Sequence, residues 1–416
     1  MKRVAVIGAG ISGMAAAYLL SRRHVVTLFE REGRLGGHTH TVRVPTETGD
    51  VALDTGFLVH NENTYPQLVR LFRELGVSTQ PSDMSFSVSC PATGIEYSSR
   101  GASGYFAQPR NVVRPDHYRL LRDIVRFNRE APALLADAAA GTMTLDDFVR
   151  VRQFGDVFVA RYLVPMTSAI WSASAESIGA FPMQMLVRFM QNHGMLTLGS
   201  HVTWRVVCGG SDAYIGPITA PLGNRIHLNA RVQSVRRGAA CVVVTFHDGA
   251  SMTFDDVVFA CHGDQVLPLL ADPSDREREV FGAFRTTANH TVLHTDASVL
   301  PRAPRARASW NYRLDSAADQ PPSVTYDLNR LQGLAGCTQY CVTLNPRQPL
   351  DEAKVIKRLV YRHPQFTREA AVAQSKWADV SGTNRTHFCG AYWRYGFHED
   401  GVMSAHRVAD RLGVRW

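Results

Sequence analysis

The sequence predicts an α/β protein in which a discontinuous Rossmann-type domain is interleaved with an α+β domain. Three observations predict this class. A strand, a glycine turn and a helix open the chain, short β-like runs gather between residues 225 and 260, and a glycine-rich segment leads into a helix near the C-terminus. We expect the first domain to comprise residues 1–62, 200–275 and 372–416, and the second domain to comprise residues 63–199 and 276–371.

The opening of the chain has the spacing of a dinucleotide-binding turn. Val4 to Ile7 is a short apolar run, as expected for a strand buried on both faces. Gly8 permits a sharp turn, and Gly10 lets the backbone approach a pyrophosphate without a Cβ in the way. Gly13 lets the following helix, predicted over Met14 to Ser21, pack close to the strand. The N-terminus of that helix offers free N–H groups to phosphates.

An acid follows the second predicted strand. Val25 to Phe29 forms that strand, and Glu30 at its end can accept hydrogen bonds from a ribose hydroxyl. An ordinary βαβ unit is the alternative, because a glycine turn alone is a weak signal. The strand, the spacing and the terminal acid together favour the nucleotide site.

Two further motifs distinguish FAD from NAD. Arg31 and Arg34 precede the pair Gly36-Gly37 and His38, and Asp54-Thr55-Gly56-Phe57 ends the next strand-like run. This order resembles the FAD-binding half of flavin amine oxidases and phytoene desaturases. Near the C-terminus, Gly390 and Phe397 to Gly401 lead into a helix predicted over Val402 to Leu412, whose dipole would stabilise charge on reduced flavin.

The resemblance to this superfamily implies an amine oxidase-like fold and a set of residues that contact FAD. Val232 resembles the residue whose backbone meets the adenine. The implied cofactor-binding residues are Gly8, Ala9, Gly10, Ile11, Ser12, Gly13, Glu30, Arg31, Arg34, Gly36, Gly37, His38, Thr55, Gly56, Phe57, Val232, Gly390, Phe397, His398, Gly401 and Val402.

Further motifs resemble one bacterial subgroup of predicted NAD/FAD-binding proteins, often encoded beside cyclopropane-fatty-acid-synthase-like methyltransferases. The chain also resembles the flavoprotein half of plant cyclopropane synthases and the flavin desaturases of furan fatty acid synthesis. The motifs are residues 61–66, 82–88, 260–265, 292–296, 309–313 and 396–401.

Composition and charge narrow the possible partners. The chain has 416 residues, 45% of them hydrophobic, and a formal net charge of +8. Basic surface favours anionic partners, but no nucleic-acid motif accompanies the charge, so we expect no nucleic-acid partner. Arg119, Arg122, Arg126 and Arg129 share one helical face, which is either a solvated face or a contact with an anionic membrane.

The seven cysteines show no zinc spacing, and we expect reduced thiols and no metal.

Two inserts separate the nucleotide-fold blocks. Residues 115–200 are predicted to be largely helical, with Pro115 opening a helix and Thr144 with Asp147 forming a near-capping box. Residues 283–350 are predicted to be rich in strands. The apolar stretch from Tyr162 to Trp171 is either a buried core helix or the wall of an acyl-chain tunnel.

Candidate residues at the reacting face are His398, Glu399 and Tyr395 as catalytic groups, with His38 and His40 beside them. We expect His398 to handle protons, or else to be a structural hydrogen-bond donor. His262 and His294 fit either core strands or the substrate face. Cys389 lies close to the predicted flavin end, where a covalent flavin link is conceivable, but the subgroup pattern does not demand a cysteine there. Amine oxidases often place a lysine near the flavin, whereas this chain has only four lysines.

The sequence therefore predicts an FAD-dependent oxidoreductase that acts on a fatty acyl chain linked to a phospholipid. The expected reaction is desaturation or double-bond isomerisation, and the chain can be methyl-branched. The alternatives are a small-molecule amine or amino-acid oxidase, and a flavin-stabilised partner of a lipid methyltransferase. No window reaches the ~18 apolar residues of a membrane span. We expect a cytoplasmic protein, with peripheral contact to the inner membrane face as a further possibility.

Overall fold

The computed structural model of the protein describes residues 1–47, 49–137, 141, 143–196, 202–314 and 321–416, and twenty strands lie within these ranges. They are β1 Arg3–Ile7, β2 Val25–Phe29, β3 Thr41–Thr46, β4 Gly49–Asp54, β5 His60–Asn61, β6 Thr79–Pro81, β7 Phe86–Cys90, β8 Ile95–Ser98, β9 Trp204–Val207, β10 Ile226–His227, β11 Val232–Arg237, β12 Val242–Phe246, β13 Ser251–Phe254, β14 Asp256–Phe259, β15 Thr286–His294, β16 Trp310–Arg313, β17 Ser323–Asp327, β18 Cys341–Leu344, β19 Val355–Pro364 and β20 Thr386–Phe388.

The α-helices of the same residues alternate with these strands. They are α1 Ile11–Leu20, α2 Pro66–Glu74, α3 Gly101–Tyr105, α4 Pro115–Glu130, α5 Leu145–Arg152, α6 Asp156–Phe158, α7 Val164–Trp171, α8 Ala175–Gly179, α9 Met183–Asn192, α10 Ile215–Thr219, α11 Val266–Leu269, α12 Asp275–Phe281, α13 Leu328–Gln332, α14 Arg368–Ser375, α15 Trp377–Val380 and α16 His398–Arg411.

A five-stranded parallel sheet carries the opening motif. Its order is β10-β2-β1-β14-β20, so its strands come from three separated parts of the chain. β1 lies between β2 and β14, which explains why its apolar residues are buried on both faces. The glycine turn follows the C-terminal end of β1, where ligands of open parallel sheets bind.

Two helices begin earlier than the sequence predicted. α1 starts at Ile11 rather than Met14, and α16 starts at His398 rather than Val402. The apolar periodicity that located α16 begins only where the helix meets the core, whereas its first turn is polar. The Asp400 carboxylate accepts a hydrogen bond from the Phe397 N–H and holds that first turn in place. Because the helix starts earlier, His398 is its first residue rather than part of the segment before it.

A seven-stranded mixed sheet forms the second layer. Its order is β19-β15-β18-β17-β16-β7-β8, with β16 and β7 parallel and the other pairs antiparallel. This sheet and the helices from α4 to α9 enclose a hydrophobic cluster distinct from the one around the parallel sheet. The strand-rich character expected of residues 283–350 is confirmed for the described part of that range, and the division into two domains stays a prediction.

The helical insert agrees with its sequence signals. Pro115 is the first residue of α4, and the Thr144 side chain accepts a hydrogen bond from the Asp147 N–H at the start of α5. The apolar stretch from Tyr162 to Trp171 is a π-helical turn, Val159–Leu163, continued by α7. Within the described ranges, no helix is long and apolar enough to cross a bilayer.

Candidate functional site

A cavity of about 2260 Å³ lies along the carboxyl end of the parallel sheet and continues between the mixed sheet and the helical insert. Cavities for drug-sized ligands occupy roughly 300–1,000 Å³. The larger volume leaves room for a dinucleotide and a second molecule together.

Two of the three glycines in the turn are required by steric limits. Gly8 has a φ of +102°, and a Cβ at Gly13 would lie 1.8 Å from the Gly8 carbonyl oxygen, so neither position tolerates a side chain. A Cβ at Gly10, by contrast, would meet nothing within 4 Å and would project into open space. Because Gly10 lines the cavity at the start of α1, this space is a cradle for a phosphate group.

The acid and the second glycine pair fold against that turn. The Glu30 carboxylate accepts a hydrogen bond from the Ala9 N–H at 2.8 Å, and the Gly36 N–H donates to the Ala9 carbonyl at 2.9 Å. Arg34 supports the same loop, because its guanidinium donates to the Gly37 carbonyl oxygen at 2.8 Å. Arg34 therefore also has a structural role beside the contact with FAD that the resemblance implies.

Residues 38–40 and 55–57 pack against each other and together form the adjoining wall of the cavity. A Cβ at Gly56 would lie 2.1 Å from the His38 carbonyl oxygen, and the Phe57 N–H donates to that oxygen at 2.8 Å. The Thr55 hydroxyl lies 2.7 Å from the Tyr361 hydroxyl, which also lies 2.9 Å from His40 Nδ1. The glycine at position 56 is thus required by the close approach of two backbones.

The C-terminal helix closes the middle of the cavity. Phe397 and His398 line it, and Gly390 lines it from the preceding segment. A Cβ at Gly401 would lie 2.7 Å from Ser12 Oγ, so this glycine lets α16 pack directly on α1. Both helices begin at the cavity, and their N-terminal N–H groups favour negative charge there.

The structure brings most of the sequence-predicted residues to this one cavity. Gly13, Gly401, Val402 and Glu399 do not line it: the first two are packing glycines, Val402 is buried in the core, and Glu399 caps another helix. The predicted residues that line it are Gly8, Ala9, Gly10, Ile11, Ser12, Glu30, Arg31, Arg34, Gly36, Gly37, His38, Thr55, Gly56, Phe57, Val232, Gly390, Tyr395, Phe397 and His398.

The lining fits the cofactor that the motifs imply. The cradle at Gly10 suits a pyrophosphate, and the acid at Glu30 lies one strand away, as a ribose requires. At the other end, the His38 side chain carries a buried Nε2 with no hydrogen-bond partner among the described residues. A buried imidazole nitrogen of this kind is available to a bound polar ligand.

A protein-family model for flavin containing amine oxidoreductases matches residues 11–294. The chain belongs to this family. FAD is the typical cofactor of its members, so the predicted superfamily and cofactor are confirmed at that level.

Comparison with individual proteins agrees with the family. A monoamine oxidase homologue of Mycobacterium tuberculosis, AofH, is 28% identical over 255 residues, which are 59% of this chain and 54% of AofH. Amine oxidase [flavin-containing] A of Canis lupus familiaris is 34% identical over 131 residues, 31% of this chain and 24% of that protein. The chain thus spans about half, or less, of the length of these curated relatives.

Solved structures of similar fold align over almost the whole chain. Cyclohexylamine oxidase from Brevibacterium oxydans has a TM-score of 0.71 at 15% identity, with 99% of each chain covered. A CLA-producing fatty acid isomerase from P. acnes has a TM-score of 0.70 at 16% identity, with 99% of this chain and 98% of that chain covered. The predicted α/β, amine oxidase-like fold is confirmed.

In this flavin amine oxidoreductase family member, His398 is held by hydrogen bonding and stacking. Its Nε2 lies 3.0 Å from Thr39 Oγ1, and its ring stacks on Phe57 at a centroid distance of 3.8 Å. Burial, with a smaller contribution from His60, lowers the pKa of His398 to about 3. The imidazole is therefore neutral at physiological pH, and because its Nε2 is already engaged by Thr39, the contacts favour the structural alternative over proton transfer.

The other two catalytic candidates have different surroundings. The Glu399 carboxylate accepts hydrogen bonds from the N–H groups of Gln67 and Leu68 at 3.1 and 2.9 Å and thereby caps α2. Its catalytic assignment is corrected, because it faces a helix rather than the cavity. Tyr395 lines the cavity, and its carbonyl accepts a hydrogen bond from Trp171 Nε1 at 3.1 Å.

Two histidines lie beside His38, and of these the sequence pointed to His262 but did not reveal His363. The rings of His363 and His262 have centroids 5.2 and 5.9 Å from that of His38, and all three line the cavity. His363 Nδ1 lies 3.1 Å from the amide nitrogen of the buried Asn289. Burial, followed by His363 and His262, holds the pKa of His38 well below its usual range.

One weak signal could have located His363. It stands two residues after Tyr361 on β19, so both side chains project from the same face of the strand. His294 is different: it is buried, with its Nε2 2.8 Å from Thr343 Oγ1, and belongs to a core strand. His262 belongs to the cavity. The two histidines that the sequence left undecided thus have separate roles.

The far arm of the cavity is mainly apolar. In this arm, the described lining residues of segments 97–128 and 162–204 include no Asp, Glu, Lys or Arg. Met166, Ile170 and Trp171 of α7 form part of the wall, so the stretch from Tyr162 to Trp171 is both a core helix and a cavity wall. None of the four lysines lines the cavity, and Lys376 forms an ion pair with Glu279 instead.

Proposed function

We propose that the protein is an FAD-dependent oxidoreductase that desaturates a fatty acyl chain or moves a double bond along it, on a phospholipid-linked and in some cases methyl-branched chain. The observation that carries this proposal is the far arm of the cavity, in which the described lining residues of segments 97–128 and 162–204 bear no charged side chain. An acyl chain is the substrate class that such a wall accepts without leaving a buried charge unpaired.

The chemistry divides between cofactor and protein. FAD supplies hydride acceptance when bound. The walls around Ile124, Met166 and Trp171 hold the chain extended and exclude water from the reacting carbon. The proton lost from the neighbouring carbon requires a base at the cavity surface. The His38 side chain lines the cavity and its Nε2 has no hydrogen-bond partner among the described residues, so His38 is better placed for this role than His398, which is already bonded to Thr39.

The fold is compatible with acyl substrates, since one structural neighbour is named a fatty acid isomerase. Isomerisation also balances without an external oxidant, because the hydride removed from one carbon returns to another. Desaturation leaves two electrons on the flavin and needs an acceptor, for which a quinone or dioxygen is the expected class.

A small-molecule amine oxidase is the second candidate. The names of the relatives favour it, as do the aromatic side chains of Trp171, Tyr361 and Tyr395 around the centre of the cavity. The absence of a lysine among the described lining residues argues against it, since amine oxidases often place a lysine near the flavin. A third reading, a flavin-stabilised partner of a lipid methyltransferase, has no turnover of its own.

Anaerobic bleaching of the flavin distinguishes these candidates. The purified holoprotein is mixed with phospholipids bearing saturated, unsaturated or methyl-branched chains, and in parallel with a panel of primary and cyclic amines. We expect a lipid to reduce the flavin or to be recovered with a displaced double bond. Reduction by amines alone would overturn the proposal. Co-purification with a methyltransferase, without any change in lipid or flavin, would support the third reading.

A further inference from the structure

The outer side of the helical insert exposes an unusual group of apolar side chains. Val112 and Val113 end the 3₁₀ turn Pro109–Val113 and are 49% and 79% exposed. Tyr118 and Val125 of α4 are 48% and 43% exposed. We call these four residues the valine-tyrosine patch.

The patch is held as one surface by contacts between its two segments. The Tyr118 hydroxyl donates a hydrogen bond to the Val112 carbonyl oxygen at 2.7 Å, which ties the 3₁₀ turn to α4. Tyr118 and Val125 are seven residues apart and therefore lie on one face of the helix. The apolar side chains thus share a fixed surface rather than being scattered singly.

Basic residues alternate with those of the patch along the same segment. Residues 109–130 contain six arginines against three carboxylates. Arg119, Arg122, Arg126 and Arg129 pair with Asp116, Asp123 or Glu130. Arg110 and Arg114 occur in none of the ion pairs found among the described residues. The surface therefore carries an excess of positive charge around exposed apolar groups, a combination that suits an anionic lipid interface.

The same helix connects this surface to the cavity. Leu121, Ile124 and Asn128 of α4 line the apolar arm and lie on the helix face next to that of Val125. Tyr118 contacts Phe106 at a ring-centroid distance of 5.8 Å, and Phe106 lines the cavity. The patch and the apolar arm thus lie on neighbouring faces of the same helix. An acyl chain that leaves a bilayer at the patch would need to pass only α4 to reach the arm.

We infer that the valine-tyrosine patch docks on an anionic phospholipid bilayer and that acyl chains enter the cavity beside α4. The inference rests on the proposed acyl function for its second half, whereas docking itself requires no turnover. The valines and Tyr118 insert among the headgroups, and the surrounding arginines contact lipid phosphates.

Vesicle binding of the FAD-loaded protein tests docking. Wild type, the double variant Val112→Glu/Val113→Glu and a control, Val372→Glu, are sedimented with phosphatidylglycerol or phosphatidylcholine vesicles at low and high salt. Val372 is a suitable control because it is 50% exposed on α14, outside the patch. Flavin content and thermal unfolding show whether the variants keep the fold.

We expect wild type and the control to bind phosphatidylglycerol vesicles and to be released by salt, and the double variant to bind at least about tenfold more weakly. Equal binding by all three proteins, or no binding by wild type, would overturn the inference; in the second case an acidic carrier protein becomes the alternative occupant.

Turnover separates this inference from the proposed function. Suppose that the double variant loses vesicle binding, but no lipid reduces the flavin and no double bond of a lipid moves. Docking then stands and the acyl reaction fails. If detergent-dispersed lipid reacts equally with wild type and the double variant, while vesicle lipid reacts only with wild type, entry from the bilayer is supported. Equal reaction of vesicle lipid with both proteins would overturn entry beside α4.

Discussion

The ring of His363 lies 5.2 Å from the ring of His38 at the wall of the cavity. Asn289 holds the ring of His363, and the ring of His38 has a buried Nε2 that finds no hydrogen-bond partner in the described part of the chain. This pair is the best candidate for the base that accepts a substrate proton. We expect His38→Gln and His363→Ala to slow anaerobic flavin reduction by roughly 10²-fold, the ordinary contribution of a general base.

His290→Ala is the matched control for this pair, since His290 is exposed on the neighbouring strand β15. The pH profile of flavin reduction should change in His38→Gln and stay unchanged in the control. Loss of rate in His398→Gln alone, with the His38 and His363 variants unaffected, would restore the original assignment to His398.

Gly10→Ala tests the phosphate cradle. The added Cβ meets no protein atom within 4 Å, so the chain folds normally, but the methyl group occupies the space over the helix N-terminus. We expect at least about a tenfold loss of FAD affinity, measured by titration of the apoprotein. Gly216→Ala, where a Cβ is equally unobstructed, should bind FAD as wild type does. Equal affinities in the two variants would place the pyrophosphate elsewhere.

Glu399→Ala separates capping from catalysis. Removal of the carboxylate leaves two N–H groups at the start of α2 without their acceptor. We expect the free energy of unfolding, measured with urea, to fall by about 1–2 kcal/mol, with the rate constant for flavin reduction unchanged. Glu399→Gln keeps an acceptor oxygen and should lose less stability. A slow Glu399→Gln enzyme of normal stability would contradict this assignment.

Asp400 makes stability depend on pH. Burial, the largest influence, raises its pKa to about 7 from an ordinary value near 3.8. As pH rises above about 4, the carboxyl ionises first in the unfolded chain, so this group lowers folding stability until the folded-state carboxyl also ionises near pH 7. We expect Asp400→Asn to gain stability relative to wild type across this window. If the free energies of unfolding of wild type and Asp400→Asn differ by the same amount at every pH from 4.5 to 8, the prediction is refuted.

Ile124→Trp examines the length of the apolar arm. A larger ring at this lining position should lower kcat/KM for an eighteen-carbon acyl substrate by about tenfold and leave an eight-carbon analogue unaffected. Val151→Trp, at an exposed position of α5, is the control. Because overpacking can destabilise the core, thermal unfolding of both variants is compared, and Ile124→Phe serves as the milder substitution. Equal losses for both chain lengths would exclude the arm as the acyl site.

The sequence predicted the nucleotide half well because its signals are local. Gly8 has a positive φ, Gly13 is required by the Gly8 carbonyl of the same turn, and Glu30 directly follows the very next strand. The reacting end was predicted less well. His363 and Asn289 come from β19 and β15 and meet His38 only through sheet pairing, which spacing along the chain does not reveal.

Glu399 shows the opposite error. An acid beside a histidine in a glycine-rich segment is typical of a catalytic site, but helical geometry turns the two side chains in different directions. His398 faces the cavity, whereas Glu399 reaches the N-terminus of α2, more than 300 residues earlier in the chain. The directions of these two side chains depend on where α16 starts. Apolar periodicity placed that start at Val402, four residues too late, so it could not reveal them.

The order of strands in the parallel sheet has a consequence for biosynthesis. β20 pairs with β14, and α16 packs on α1 through Gly401, so the last structural pieces of the cofactor chamber are translated hundreds of residues after the first. Until residue 388 leaves the ribosome, β14 keeps an unpaired backbone edge and the chamber lacks one wall. Nascent chains therefore carry an incomplete site, and the exposed edge of β14 is open to pairing with other chains until β20 occupies it.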